Sequence, residues 1–140
     1  MDAIDISAIL WGLGLGLGLS FVIGMVLAII TGVGIAAQDE RLDDMDEDEF
    51  ARHYLEHFTD TQFLLGLVII SLLVNALAGY LTARLADAAD YLNAGIMGAL
   101  AVLLSLALEK RNPVMPAWGL WLWALLGVPF ALLGAWIANQ

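Results

Sequence analysis

The chain has 140 residues, 61% of them hydrophobic and 14% charged, with a formal net charge of −10. A soluble domain is about half apolar and about a quarter charged, so an ordinary soluble globular protein is excluded. Five Lys and Arg side chains in all leave no means of neutralising a phosphate backbone, so no nucleic-acid partner is expected. The absence of cysteine removes disulfides, thiolate metal sites and cysteine nucleophiles.

The first apolar run extends from Ile6 to Ala37 without one ionisable residue. Uncharged apolar runs above about 18 residues read as membrane spans. This one is longer than a hydrocarbon core of roughly 30 Å requires, so it must tilt, bend or protrude. Met1–Asp5 offers neither a basic region nor a cleavage site, so the run reads as a retained helix and not as a signal peptide. Inside it Gly12, Gly16, Ser20, Gly24, Ala28, Gly32 and Ala36 place a small residue at every fourth position, and Gly14 and Gly18 reinforce the first half. Small residues at this spacing let another helix backbone come close, which is how spans associate when lipid supplies no hydrophobic drive. Two readings stay open: a close partner helix in an oligomer, or the chain's own bundle. In either, Gly24→Leu at the centre of the stripe is expected to damage assembly more than Leu27→Ala.

The acidic segment that follows, Gln38–Asp60, holds ten acids, Arg41, Arg52 and both histidines. Phe50, Ala51, Tyr54, Leu55 and Phe58 share one helical arc, and Asp46 and Glu49 have capping spacing ahead of them. The pattern predicts an amphipathic helix. Its acidic face disfavours anionic headgroups, so it should dock on the protein's own spans or on a partner. On the other side Glu49, His53, His57 and Asp60 share a face. Histidines at i and i+4 have the spacing that puts two imidazoles on one metal, which makes His53, His57 and Glu49 the candidate divalent-metal ligands. The alternative is a solvated acidic face. The string His53-Tyr54-Leu55-Glu56-His57 matches a zinc-protease pattern, but no distant third ligand or cleft accompanies it. Asp44, Asp46 and Asp48 begin like a calcium loop yet lack its glycine and its final carboxylate.

Three more spans follow, at about 61–86, 91–108 and 116–138. Thr59 and Gln62 have capping-box spacing before the second, Asp90 is a plausible cap for the third, and Pro116 opens the fourth, where a missing N–H costs nothing. Pro129 interrupts the backbone ladder of the fourth, which predicts a kink. The second and third are joined by so few residues that they must form an antiparallel hairpin. Small residues recur in the fourth span (Gly127, Ala131, Ala135) and in the third (Gly95 with Ala99, Ala94 with Gly98). Four spans make a single all-α transmembrane domain with both termini on one side. Trp11 and Trp136 would anchor that side, and Trp118, Trp121 and Trp123 the opposite interface. Arg41, Arg52, Lys110 and Arg111 flank the loop side and Arg84 the terminal side, so the positive-inside rule puts the termini outside the cytoplasm.

Gly79-Tyr80-Leu81-Thr82-Ala83-Arg84-Leu85-Ala86, followed by Asn93-Ala94 and Gly98, resembles the second-to-third helix hairpin of small uncharacterised bacterial four-span integral membrane proteins. In those a G-Y-x-x-A-R-x-A run ends the second helix. The resemblance covers about twenty residues. It implies a bacterial inner membrane and termini on the inside, opposite to the charge count. It brings no catalytic residues.

Polar residues at depth are Ser20, Thr31, Ser71, Asn75 and Ser105, and no Asp, Glu, Lys, Arg or His lies well inside a span. Ion-coupled carriers usually need such an ionisable group. The membrane carboxylate of small multidrug carriers, which share the length and the four spans, has no counterpart here. Asn75 is the deepest strong hydrogen-bonder, with Ser71 and Gly79 on its face. No nucleophile–base pair is visible in the spans, so the chain reads as a non-enzyme without a cofactor. The favoured function is a helical-bundle membrane protein that works by close helix packing, through self-association or as a small subunit beside another membrane protein in the lipid bilayer. The alternatives are an oligomeric channel or small-solute carrier, and a divalent-metal-binding membrane protein acting through the acidic loop.

Overall fold

The computed structural model describes residues 4–38, 46, 48–49, 61–111 and 116–140. Among these it contains four long helices and no strand: α1 (Ile6–Gln38), α2 (Thr61–Leu85), α3 (Asp90–Arg111) and α4 (Ala117–Ala138). Each is long and apolar enough to cross a membrane. The protein is an all-α four-helix bundle of multi-pass membrane type. Of the amphipathic helix expected from about Asp48, Asp48 and Glu49 are described and helical; the rest of it, with Thr59 and both histidines, lies outside the described residues.

Local chemistry sets the helix ends. Asp5 caps α1, its Oδ1 accepting from the Ala8 N–H at 3.0 Å, so one orphan donor of the first turn is satisfied. In the acidic segment Asp46 Oδ1 accepts from the Glu49 N–H at 2.8 Å, as their spacing predicted. Asp90 is not a cap but the first residue of α3, where its carboxylate faces the positive end of the helix dipole. Lys110 and Arg111 close the last turn of the same helix, at the negative end. Pro116 is the N-cap of α4, with φ −63° and ψ 151°. Its carbonyl accepts from the N–H groups of Gly119 and Leu120. Helix α4 runs through Pro129 as one element.

In the bundle α2 and α3 form the central pair, and both α1 and α4 pack chiefly against those two. Alanines supply much of the core, beside Ile9, Leu64, Val68, Leu72 and Met97. Ile9, Ala78, Met97 and Ala131 form one buried cluster, and Ala83, Ala94 and Ala135 another. The closest backbone approach is between α2 and α4. A β-carbon on Gly79 would collide with the backbone of Ala131, and one on Gly134 with the Ala76 carbonyl oxygen and the Tyr80 nitrogen. At Gly98 it would lie 2.7 Å from the Ala131 β-carbon. Helix backbones can meet like this only where side chains are missing.

This changes the role expected of α1. Gly12 does face α2, where a β-carbon would strike the Thr82 hydroxyl, and Gly16 sits 3.4 Å from the Ala78 β-carbon by the same construction. Ser20 and Gly24 are exposed, and a β-carbon built on Gly24 would meet nothing within 4 Å. Ala28 and Gly32 are half-buried, and the Ala36 side chain falls outside the described set. The stripe is therefore a contact surface within the chain at its first two members. From Ser20 on, the stripe is separated from α2 by a cavity that Ser20 and Gly24 border.

Both chain ends lie at one end of the bundle. The Asp5 N–H donates to Asn93 Oδ1 at 2.8 Å at the start of α3, and Ala138 packs on the cluster of Ala83 and Ala94.

Candidate functional site

Residues from all four helices line a partly open cavity of about 40 Å³ in the middle of the bundle. Leu13, Gly16, Leu17 and Ser20 of α1 form one wall, and Ser71, Val74 and Asn75 of α2 the next. Met97, Ala101 and Ser105 of α3 and Trp123 of α4 complete it. Four of the five polar residues that the spans carry at depth thus meet in one place. The exception is Thr31, half-buried further along α1. From Asn75 to the end of α2 is ten residues, about 15 Å of helix, so the cavity lies well away from either surface.

Two of these polar groups are anchored. Asn75 is 4% exposed, and its Nδ2 donates to the Gly127 carbonyl oxygen of α4 at 2.5 Å. Such a bond between spans is worth about 0.6 kcal/mol on average. Ser105 Oγ donates to the Ala101 carbonyl, one turn back, at 2.9 Å. Serine in a helix commonly satisfies its hydroxyl in this way.

Trp123 departs from its expected role. Trp11, Trp121 and Trp136 are at least half exposed and Trp118 is 41% exposed, as belongs to residues on the bundle surface. Trp123 turns inward. Its indole Nε1 is buried, and among the described residues nothing accepts its hydrogen. A β-carbon built on Gly127 would lie 3.6 Å from Asn75 Nδ2 and 3.9 Å from Trp123 Cε2, so the indole edge and the amide converge over that glycine. A signal for this exists in the sequence. Gly119, Trp123, Gly127, Ala131 and Ala135 form a period-four series. Trp123 is its one large member, and the other four are buried.

Two further features border the site. A second cavity of about 60 Å³ runs between α1 and α2, lined by Ile23, Gly24, Leu67 and Ile70. It shares Ser20, Ser71 and Val74 with the first. On the outer side of α1, Trp11, Gly14, Leu15, Gly18, Leu19 and Val22 join Leu81 of α2 around an apolar groove of about 700 Å³. No atom lies within 4 Å of a β-carbon built on Gly14 or Gly18.

Of the candidate metal ligands, Glu49 is exposed, and His53 and His57 lie outside the described residues. Among the described residues no group of three His, Asp or Glu could hold a metal. Comparison with protein families, with curated proteins and with solved structures finds no match for the chain.

Proposed function

We propose that the protein is a membrane-embedded assembly unit whose first helix receives another transmembrane helix, from a second copy or from a larger membrane complex. The observation that carries this reading is the pair Gly14 and Gly18. They lie four residues apart on α1 and line the outward groove beside Leu81. Among the described residues no other helix meets them, whereas Gly12 and Gly16 are taken up by α2. Glycines on a lipid-facing surface add no packing against lipid tails, but they let a second backbone approach. The reading is tested by replacing both with leucine and measuring energy transfer between labelled copies in vesicles at several protein-to-lipid ratios. Loss of association with an unchanged thermal transition supports it. Undiminished association, together with unchanged binding of native membrane partners, rejects it.

The polar cavity favours a second reading, a channel or small-solute carrier, because a path needs the groups that Ser20, Ser71, Asn75 and Ser105 supply. Their small number and the lack of an intramembrane charge make it the weaker one. Solute flux into vesicles that is lost in Asn75→Leu would support it.

A further inference from the structure

The central cavity combines three properties. Its polar groups are all uncharged: three serine hydroxyls, one carboxamide and one indole. A charged ligand would find no counter-charge there, at a depth where an unpaired charge is strongly disfavoured. Its volume of about 40 Å³ has room for one or two water molecules and no larger organic solute. One of its donors meets no acceptor among the described residues. The Trp123 indole can only donate, its nitrogen is buried, and no described group accepts from it. A buried N–H without an acceptor is rare in native proteins and costs free energy.

We propose that this cavity is an internal hydration site, in which a water molecule accepts from the Trp123 indole N–H and donates to the side-chain oxygens of Asn75 and Ser71. Water fits because it both donates and accepts, and the wall offers a donor-only group beside hydroxyl and amide oxygens. A site needs two to four polar partners to retain a water, and this wall carries polar groups from all four helices. The water links α4 to α2 at the point where Asn75 already binds the Gly127 carbonyl, and so extends one hydrogen bond into a network. The adjoining cavity between α1 and α2 shares Ser20 and Ser71 with it.

The test uses the full chain in lipid nanodiscs with ¹⁵N-labelled tryptophan, which gives five indole N–H signals. The Trp123 signal is assigned by Trp123→Phe. Should that variant not fold, elimination with single Phe substitutions at the exposed Trp11, Trp118, Trp121 and Trp136 assigns it instead. A water-selective NOE experiment then reads contact between each indole and water. The expected result is a water cross-peak at Trp123 that weakens in Ser71→Ala. A Trp123 indole with no water cross-peak overturns the proposal. So does an indole shift that titrates with chloride, which would make the occupant an anion. A cross-peak unaffected by Ser71→Ala also overturns the assigned partners.

Discussion

At Gly79 a hydrogen atom stands where any other residue would push a carbon into the Ala131 backbone. At Gly24 the same carbon would meet nothing within 4 Å. The two glycines occupy apolar helices of similar composition, yet their tolerance should differ widely. Overfilling a packed interface costs about 1–3 kcal/mol, and more when backbone must move. Gly79→Leu should therefore lower the thermal transition strongly or prevent folding, and Gly24→Leu should leave the isolated chain's transition nearly unchanged. Equal effects in a thermal melt in detergent would show that the α2–α4 approach is not the tightest in the bundle. The small spacing in α1 was legible in the sequence. Which of its members meet a neighbour was not, because that depends on where α2 lies around α1. Ala89 is a second case. It adopts φ 55° in the turn before α3, a left-handed conformation that costs a non-glycine residue roughly 1–2 kcal/mol. Glycine relieves that strain and loses part of the gain to its extra freedom when unfolded. Ala89→Gly should raise stability by about 0.5–1 kcal/mol, measured as a shift of the same transition.

Between elements, Asn93 holds three segments at once. Its Oδ1 accepts from the Asp5 N–H at the head of α1. Its Nδ2 donates to the carbonyls of Ala88 at 2.8 Å and Ala89 at 3.3 Å in the α2–α3 turn. The side chain is fully buried. It thus ties the first helix to the hairpin at the terminal end of the bundle. Removing one partner of a buried hydrogen bond costs about 1–3 kcal/mol. Asn93→Ala should loosen the start of α1 first, since the turn residues keep their covalent link to both helices. Hydrogen exchange at the amides of residues 5–9 should speed up well before exchange in α2 changes. Uniform protection in the variant would contradict this clasp. The sequence identifies Asn93 as polar and near a helix start, but the contact to Asp5 spans 88 residues, and no local pattern encodes a pairing at that separation.

For the whole molecule, four crossings and the contacts of Asp5 with Asn93 and of Ala138 with Ala83 and Ala94 put both termini at one end. Cysteines introduced by Asp5→Cys and Gln140→Cys, in a chain with no native cysteine, should react from the same side of sealed vesicles. Reaction from opposite sides would mean an odd number of crossings. The same labels report which face of the membrane that end occupies. On that point the basic residues and the resemblance of the hairpin give opposite expectations.

Hydropathy belongs to each segment by itself, so the four spans, the all-α class and the membrane setting follow from the order of residues alone. Capping is also local, and Asp46 with Glu49 could be read from their spacing. The convergence of Ser20, Ser71, Asn75 and Ser105 on one cavity is different. Each is recognisable as a polar residue at depth, but their meeting depends on the rotation and height of four helices. Those are settled by which glycines admit a backbone, at Gly79, Gly98 and Gly134. Trp123 shows the same division. Composition places tryptophan at an interface, and the inward turn of its indole toward Asn75 exists only once α4 is seated on α2 and α3. In lipid no hydrophobic drive separates inside from outside. The face a helix buries is therefore decided by fit between neighbours, and fit is a property of the assembled bundle.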